Sequence, residues 1–355
     1  MKRIVISTFN NSNNNYGALF QSCALSSFLR DMGYDAYNIT VVNRGSSNDT
    51  IKNILKKKLK RLLLLPQKRK TQERKRKMLE FSAGNQQQLV YENAQALFAN
   101  PPAADVYLSG SDQVWNPKAF HEDFFLAYVK NGKKKISYAA SMGHERIPDA
   151  HAQKFAAYIG DFDSISVRED SMIPIISKYT SHSIHQHLDP VFLLSRSEWG
   201  RFESVYDGLK YNKFILVYAL EWTIDYDHEL LKLKQQLGLP VVSINTGNIK
   251  RMCADQIIYN ASPGEFLHIL SRAAFVVSSS FHGTAMSIVY NKPFLAFCGK
   301  DKPTRVASLF RYLGISDRCS VESALYEIDY RAINVRIEDG RASARNYLLS
   351  NIEEQ

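Results

Sequence analysis

The stretch IVISTFNNSNNNYGALFQSCALSSFLRDMG, residues 4–33, contains the unit that the rest of the chain repeats. It begins with the β-branched run from Ile4 to Thr8, which predicts a short buried strand. A polar loop follows. Small and apolar residues then recur every three or four positions from Ala18 to Met32, and Gly33 is suited to end the helix. The stretch therefore predicts a strand, a loop and a helix, which is the unit of a parallel α/β sheet.

Further β-branched and aromatic runs continue this alternation in two series. The first series is predicted at 4–8, 36–42, 105–110, 135–141, 164–168 and 184–188, and the second at 214–220, 241–245, 274–279 and 293–297. Because helical stretches separate the strands, we predict an α/β fold with two Rossmann-like lobes that face across a cleft. We place the lobes at 1–195 and 196–335, with a C-terminal helix at 336–355 that crosses back to the first lobe.

Bulk properties fit a globular protein of two domains. The chain has 355 residues, of which 45% are apolar and 23% charged, and a chain of this size usually divides its core. Its four cysteines form no CxxC pair, so neither a zinc site nor a disulfide framework is expected. The N-terminus lacks the apolar run of a signal peptide, and no stretch is apolar enough to span a membrane. We therefore expect a cytoplasmic protein.

The positive charge of the chain is confined to residues 51–80. This segment has 13 Lys or Arg and only Glu73 and Glu80 as acids, so its net charge is +11. The rest of the chain sums to about −1, which gives the net charge of +10 for the whole protein. Its leucines and isoleucines fall on one helical face. The segment is predicted to be a basic helix, or a helical hairpin around Pro66. Either it binds an anionic inner-membrane surface as a peripheral protein does, or it docks its apolar face on the core. No aromatic residue between 51 and 80 could stack on bases, so we predict no nucleic-acid partner.

Polar motifs follow several of the predicted strands, where a parallel sheet binds its ligands. After the first strand, Asn15 and Tyr16 stand where a helix begins, a position that suits either an anion or simple capping.

After the third strand, Ser111 and Asp112 lead into the next element. Asp112 could take a proton from a sugar hydroxyl, or it could cap a helix. After the fifth strand, Arg168 could grip a carboxylate or phosphate, or it could pair with a neighbouring acid.

The second lobe has one such motif, Ser280-Phe281-His282-Gly283-Thr284. His282 stands at the start of a helix with small neighbours, where a ligand could reach it and exchange a proton near neutral pH. Lysines and Arg305 follow, and they supply positive charge for an anionic substrate.

These motifs, taken in order, resemble the polysaccharide pyruvyl transferase family. The matching pieces run from residue 1 to about 350 and are 15–18 (NYGA), 110–117 (GSDQVWNP), 137–141 (SYAAS), 166–169 (SVRE), 188–190 (LDP), 280–284 (SFHGT) and 292–294 (KPF).

The resemblance implies a fold, a reaction and a site. The fold would be that of a GT-B glycosyltransferase. The donor would be phosphoenolpyruvate, with no metal and no organic cofactor, and the product would be a pyruvate ketal on two hydroxyls of one sugar in a bacterial surface polysaccharide or its lipid-linked precursor. By the motif match, His282 would be the acid–base residue and Arg168 a donor-binding cation. Some family members have Arg where this chain has Ser280, so we expect Arg305 to bind the donor instead.

Together these inferences give one candidate site and two alternatives. The catalytic candidates are His282 and Asp112. The substrate-binding candidates are Arg168, Arg305, Asn15, Tyr16, Ser111, Ser280, Gly283 and Thr284. One alternative is a GT-B glycosyltransferase with a nucleotide-sugar donor. The other is a non-catalytic scaffold of a glycan-assembly complex at the membrane, which the intact His282, Arg168 and Asp112 disfavour.

Overall fold

The N-terminal lobe is built on a parallel five-stranded sheet. The structure is a computed structural model that describes residues 1–10, 15–43, 65–130, 132–245, 253–297 and 303–354. The strand order is β3-β2-β1-β4-β5. The strands are β1 (Arg3–Ser7), β2 (Asp35–Asn43), β3 (Gln88–Asn93), β4 (Val106–Ser109) and β5 (Lys134–Ser137). A parallel pair, β6 (Ile165–Val167) and β7 (Ile184–Gln186), extends the lobe beyond β5 through bridges from Ile136 to Ser164 and from Ala140 to Val167.

Helices connect these strands. They are α1 (Tyr16–Asp31), α2 (Leu65–Asn85), α3 (Ala94–Ala99), α4 (Asp149–Ile159) and α5 (Ile173–Ile176). Single 3₁₀ turns occur at Glu122–Phe125, Asp170–Met172 and Pro190–Phe192. The helical start predicted near residue 16 is present, because the Asn15 side chain accepts a hydrogen bond from the backbone N–H of Gly17 at 3.0 Å and so caps α1.

The C-terminal lobe repeats the same architecture. Its parallel sheet has the order β10-β9-β8-β11-β12. The strands are β8 (Ile215–Tyr218), β9 (Val241–Ile244), β10 (Gln256–Ile258), β11 (Phe275–Ser278) and β12 (Phe294–Ala296). The helices are α6 (Arg196–Gly200), α7 (Ile224–Leu237), α8 (Pro263–Arg272), α9 (Phe281–Val289), α10 (Pro303–Leu313), α11 (Val321–Ala324) and α12 (Tyr330–Glu353). Two parallel sheets with helices between their strands confirm the predicted α/β class.

Helix α1 lies between the two sheets and shares its side chains with both lobes. Tyr16 and Phe20 pack into the core of the second lobe, where the Tyr16 and Phe266 rings are 4.8 Å apart. Leu25 and Leu29 pack into the core of the first lobe. Since α1 buries nearly its whole surface, the lobes are joined firmly along this helix.

The last helix, α12, spans both lobes. Ile333 and Ile337 near its start belong to the second-lobe core, whereas Tyr347 and Leu348 near its end pack with the strands of the first lobe. The Tyr347 hydroxyl donates a hydrogen bond to the carbonyl of Ser137, at the end of β5, at 2.9 Å. The helix begins several residues before the predicted start at 336.

Helix α2 makes a third connection. Its Arg74 is 1% exposed, and Nη1 donates to the carbonyls of Asn245 and Tyr259, which follow β9 and β10, at 2.8 and 2.9 Å. Lys77 binds Glu265 at 2.9 Å. Residues 65–85 thus dock on the second lobe through charged side chains. The apolar face that one alternative expected to dock on the core lies within residues 51–64, which are outside the described residues. Within the described ranges, no helix is long and apolar enough to cross a membrane.

We predict that Arg74→Ala destabilises the protein by about 2–3 kcal/mol, because two buried carbonyls lose a charged donor and such bonds contribute about 1.5–3 kcal/mol. Urea unfolding measures the change. Arg76→Ala is the matched control on the same helix, since Arg76 is 64% exposed in its pair with Glu80, and it should change stability by less than about 0.5 kcal/mol. Equal effects of the two substitutions would contradict the bridging role of Arg74.

Candidate active site

A cavity of about 150 Å³ lies between the lobes, at the carboxyl ends of the central strands. The first lobe contributes Asn15, Asp112 and Gln113. The second lobe contributes the rest of the lining, which is Leu220, Glu221, Tyr226, Ser279, Ser280, Phe281, His282, Phe297, Arg305 and Val306. Five predicted site residues therefore meet here, namely Asn15, Asp112, Ser280, His282 and Arg305.

Two helix N-termini face this cavity. Asn15 caps α1, and Ser280 caps α9 by accepting a hydrogen bond from the Gly283 N–H at 3.4 Å. The exposed N–H groups and the dipole of a helix make its N-terminus favourable for a negative charge. Two such ends on one cavity provide positive partial charge and free N–H donors for an anion.

Arg305 adds a full positive charge. It lies in the first turns of α10 and lines the cavity. Burial, and next the charge of Arg168, lower the pKa of Arg305 from its ordinary value, although a guanidinium stays protonated at neutral pH. Among the residues that the structure describes, none forms an ion pair with it. Its charge is therefore available to an anionic ligand.

His282 is held by a buried carboxylate of the first lobe. Its ring is in the first turn of α9, and Nε2 lies 3.3 Å from Asp189 Oδ2. Asp189 also accepts hydrogen bonds from Arg168 Nη1 at 2.7 Å and from Ser111 Oγ at 3.1 Å. Burial alone would raise the pKa of Asp189, but the charges of His282 and Arg168 outweigh it and hold the pKa well below its ordinary value. A fixed carboxylate beside one ring nitrogen orients a histidine for proton transfer.

Arg168 forms ion pairs with neighbouring acids, which was one of the two roles predicted for it. Its Nε donates to Glu169 Oε1 at 2.9 Å, in addition to the bond to Asp189, and the guanidinium stacks on the Phe281 ring at 4.1 Å. Burial would lower its pKa, but the charges of Glu169 and Asp189 outweigh this and raise it. Arg168 is only 5% exposed and lies behind the residues that line the cavity, and its Nη2 has no hydrogen-bond partner among the described residues.

Asp112 reaches the cavity through an unusual backbone conformation. Its φ is +68°, a left-handed value that non-glycine residues seldom adopt and that is often found at functional sites. The turn is secured because the Ser141 N–H donates to the Asp112 carbonyl at 3.0 Å, and because the Asp112 carboxylate accepts from the Gln113 N–H at 2.9 Å. Asp112 and His282 both line the cavity.

Gly17 permits the close approach of the lobes at His282. A Cβ built on Gly17 would lie only 2.2 Å from His282 Nδ1, so the ring rests on the bare backbone of α1. Gly283 is similarly confined, since its Cβ would lie 2.1 Å from Ser278 Oγ. Both glycines fix the position of α9 and its histidine.

Five residues predicted to bind substrate do not line the cavity, and Arg168, described above, is one of them. Tyr16 is 0% exposed and donates its hydroxyl to the Ala261 carbonyl at 2.7 Å, so it belongs to the core between the lobes. Ser111 is equally buried and supports Asp189. Gly283 and Thr284 are buried in α9. Their motif positions did not reveal which side chains line the cavity.

The structure also brings in residues that the sequence did not single out for the site. Asp189 is the main one. Its Leu188-Asp189-Pro190 context at the end of a strand was the available signal, but its partners are distant in sequence. No three His, Cys, Asp or Glu side chains are grouped for metal binding in the described ranges.

Asp189 should make stability depend on pH. Its folded-state pKa is depressed, so its contribution is complete above about pH 5 and is lost as the pH falls below its unfolded value of about 3.9. We predict that the free energy of unfolding at neutral pH is larger for wild type than for Asp189→Asn. This difference in free energy should become smaller below about pH 4. Urea unfolding at several pH values tests this. Asp207 is exposed, and Asp207→Asn should unfold with the same free energy as wild type at every pH. A destabilisation by Asp189→Asn that is the same at every pH would contradict the depressed pKa of Asp189.

Solved structures with the same fold are distantly related in sequence. A putative UDP-N-acetylglucosamine 2-epimerase from Listeria monocytogenes is 11% identical, with a TM-score of 0.52 over 100% of this chain and 98% of that one. UGT71G1 from Medicago truncatula, complexed with UDP-glucose, is 9% identical, with a TM-score of 0.50 over 99% and 98%. These similarities confirm the GT-B fold. No curated protein sequence matches the chain.

The model of one protein family, polysaccharide pyruvyl transferase, matches residues 15–297. The match begins at the cap of α1 and ends just after β12, so it includes every cavity residue except Arg305 and Val306. The resemblance found in the motifs is thereby confirmed, and the chain belongs to the polysaccharide pyruvyl transferase family.

Proposed function

We propose that the protein transfers a pyruvyl group from phosphoenolpyruvate to two hydroxyls of one sugar in a bacterial surface polysaccharide or its lipid-linked precursor. The observation that carries the proposal is the group of anion-attracting features in the cavity. Arg305 and the N-termini of α1 and α9 surround a space that also contains His282 and Asp112. A donor with both a carboxylate and a phosphate needs such surroundings.

Donor binding relies on Arg305 and on the two helix ends. A guanidinium presents paired N–H donors that match a carboxylate or a phosphate group. The capping residues Asn15 and Ser280 stand beside the free N–H groups of their helices and line the same cavity. Ser280 occupies the position where some family members have Arg, and Arg305 supplies that charge from α10.

The chemistry requires a proton donor and a proton acceptor. His282 donates a proton to the methylene carbon of phosphoenolpyruvate, which leaves a cationic centre at the carbon bearing the phosphate oxygen. A sugar hydroxyl attacks that carbon and loses its proton to Asp112. The carbon–oxygen bond to phosphate then breaks, and the second hydroxyl closes the ketal. Of the two hydroxyl protons, one replaces the proton used for the new methyl group and the other leaves with phosphate.

Asp189 and Arg168 position the proton donor. Asp189 faces His282 Nε2 at 3.3 Å, and Arg168 fixes Asp189 through a 2.7 Å bond. In this arrangement Arg168 is not a ligand of the donor but a positioning residue. Replacing it should therefore lower turnover more than it weakens donor binding.

Phosphate release from phosphoenolpyruvate, with lipid-linked glycan as the acceptor, tests the proposal. We expect His282→Gln to lower kcat by about 10²- to 10⁴-fold, the contribution of general acid catalysis. Arg305→Gln should raise the KM for phosphoenolpyruvate by about 10- to 100-fold, since a charged hydrogen bond contributes about 1.5–3 kcal/mol. Arg311→Gln is the control, because Arg311 lies on the same helix but pairs with Asp170 at the surface.

Other outcomes would favour the alternatives. A ligand at a hundred times its Kd stabilises a protein by about 2.7 kcal/mol, so thermal unfolding separates the candidate donors. Stabilisation by UDP-sugars and not by phosphoenolpyruvate would indicate a nucleotide-sugar glycosyltransferase. If neither UDP-sugars nor phosphoenolpyruvate stabilise the protein and no phosphate is released, the protein would be a non-catalytic scaffold. In cells, mass spectrometry of the surface glycan should show the mass of one pyruvate less one water, and only when the protein is present.

We also propose that the enzyme works at the cytoplasmic face of the inner membrane, and that the outer face of α2 binds it. Arg69, Lys70 and Arg76 are exposed on this helix. A basic residue near an anionic bilayer contributes about 1 kcal/mol of attraction.

We predict that changing Arg69, Lys70 and Arg76 to Gln weakens binding to phosphatidylglycerol vesicles by about 100-fold, at about 1 kcal/mol for each charge. Co-sedimentation measures the bound fraction. The control changes Lys130, Lys133 and Arg331, which are exposed elsewhere, to Gln and removes the same charge. Equal losses in the two triple variants, or equal binding to neutral vesicles, would show that α2 is not the membrane contact.

A further inference from the structure

The cavity has an apolar side that the donor does not need. Leu220, Tyr226 and Phe297 line it. The Tyr226 and Phe297 rings are stacked in parallel, with centroids 4.1 Å apart and planes at 3°. Trp222 packs perpendicular to both rings at 5.6 Å. This aromatic wall is therefore rigid. Phe297, only 6% exposed, supports Tyr226 from behind, and Leu220 extends the wall with 42% of its surface exposed.

Short-range hydrogen bonds hold the wall in place. Thr223 caps α7 by accepting from the Tyr226 N–H at 3.4 Å, which fixes Tyr226 in the first turn. The loop after β8 is tied to the loop after β11, because Ser279 Oγ donates to the Glu221 carbonyl at 2.7 Å. Residues 220–226 thus form one continuous surface on the second lobe.

Two carboxylates line the same cavity. They are Glu221, next to Leu220 in the chain, and Asp112 of the first lobe. Carboxylates disfavour a trianionic donor beside them, whereas Arg305 and the helix N-termini attract it. A second, uncharged ligand is needed to fill the apolar side.

We propose that the wall of Leu220, Tyr226 and Phe297 is the seat of the acceptor sugar, a neutral pyranose. A pyranose has an apolar C–H face that packs on aromatic rings, and a rim of hydroxyl donors suited to Glu221 and Asp112. In this orientation, the hydroxyl pair points to Asp112 and to the donor carbon. This inference rests on the proposed function for the identity of the acceptor, but the sugar subsite can be tested separately.

Saturation-transfer NMR provides the test, with methyl glycopyranosides of galactose, glucose and N-acetylmannosamine as probes in the presence of phosphoenolpyruvate. At least one glycoside should receive saturation at its ring C–H protons. Tyr226→Ala should weaken its apparent affinity by about tenfold, the loss of one aromatic contact, and Tyr226→Phe should restore it. The control is Tyr326→Ala, because Tyr326 is 74% exposed elsewhere on the second lobe and should change nothing.

Two measurements separate this inference from the proposed donor. Thermal stabilisation by phosphoenolpyruvate should be the same in wild type and Tyr226→Ala. If no glycoside contacts the protein, or if the signal survives Tyr226→Ala, the sugar seat is refuted, even when phosphoenolpyruvate binds. If a glycoside binds through Tyr226 but phosphoenolpyruvate does not stabilise the protein, the sugar subsite is supported and phosphoenolpyruvate is rejected as the donor.

Discussion

Asp189 is a fully buried carboxylate on which both lobes depend. It and Glu169 place two negative charges around the single positive charge of Arg168, in a region closed to solvent. A buried charge without a partner costs several kcal/mol, so the second carboxylate requires another polar partner. His282 of the opposite lobe supplies it at 3.3 Å. The same contact joins the lobes electrostatically and holds the residue proposed to move a proton.

That contact sets strict conditions on the surrounding structure. His282 reaches Asp189 only because Gly17 leaves its ring free to rest on the backbone of α1. Helix α1 must in turn lie between the sheets, which Tyr16 secures by packing with Phe266. Helices α2 and α12 tie the lobes at other places, through Arg74 and Tyr347. The lobes are thus held at the site from several sides, as a preorganised catalytic geometry requires.

Much of this architecture could be predicted from local patterns, because buried parallel strands are short β-branched runs. Every predicted strand is present. The two that were missed, β3 and β10, lie at the equivalent edge of each sheet. Edge strands are only partly buried and mix polar with apolar residues, as QLVYEN in β3 does. The site was less predictable. Motif position located His282 and Asp112 at strand ends, but it could not show that Tyr16 and Ser111 point away from the cavity. The role of Asp189 depends on contacts between segments far apart in sequence.

The uneven charge of the cavity fits the order of events in the proposed ketal formation. In that proposal, Arg305 and the helix N-termini bind the phosphate and carboxylate of the donor, which places positive charge at the leaving group. The step that follows protonation creates a cationic carbon, which the same positive groups would destabilise if they surrounded it. Asp112, only 8% exposed, lines the same cavity, and a carboxylate in a poorly solvated position would stabilise that centre strongly. Asp112 lies just after β4 and has a left-handed backbone conformation. The cavity thus holds both signs of charge, as the two proposed substrates and the cation that would form between them require.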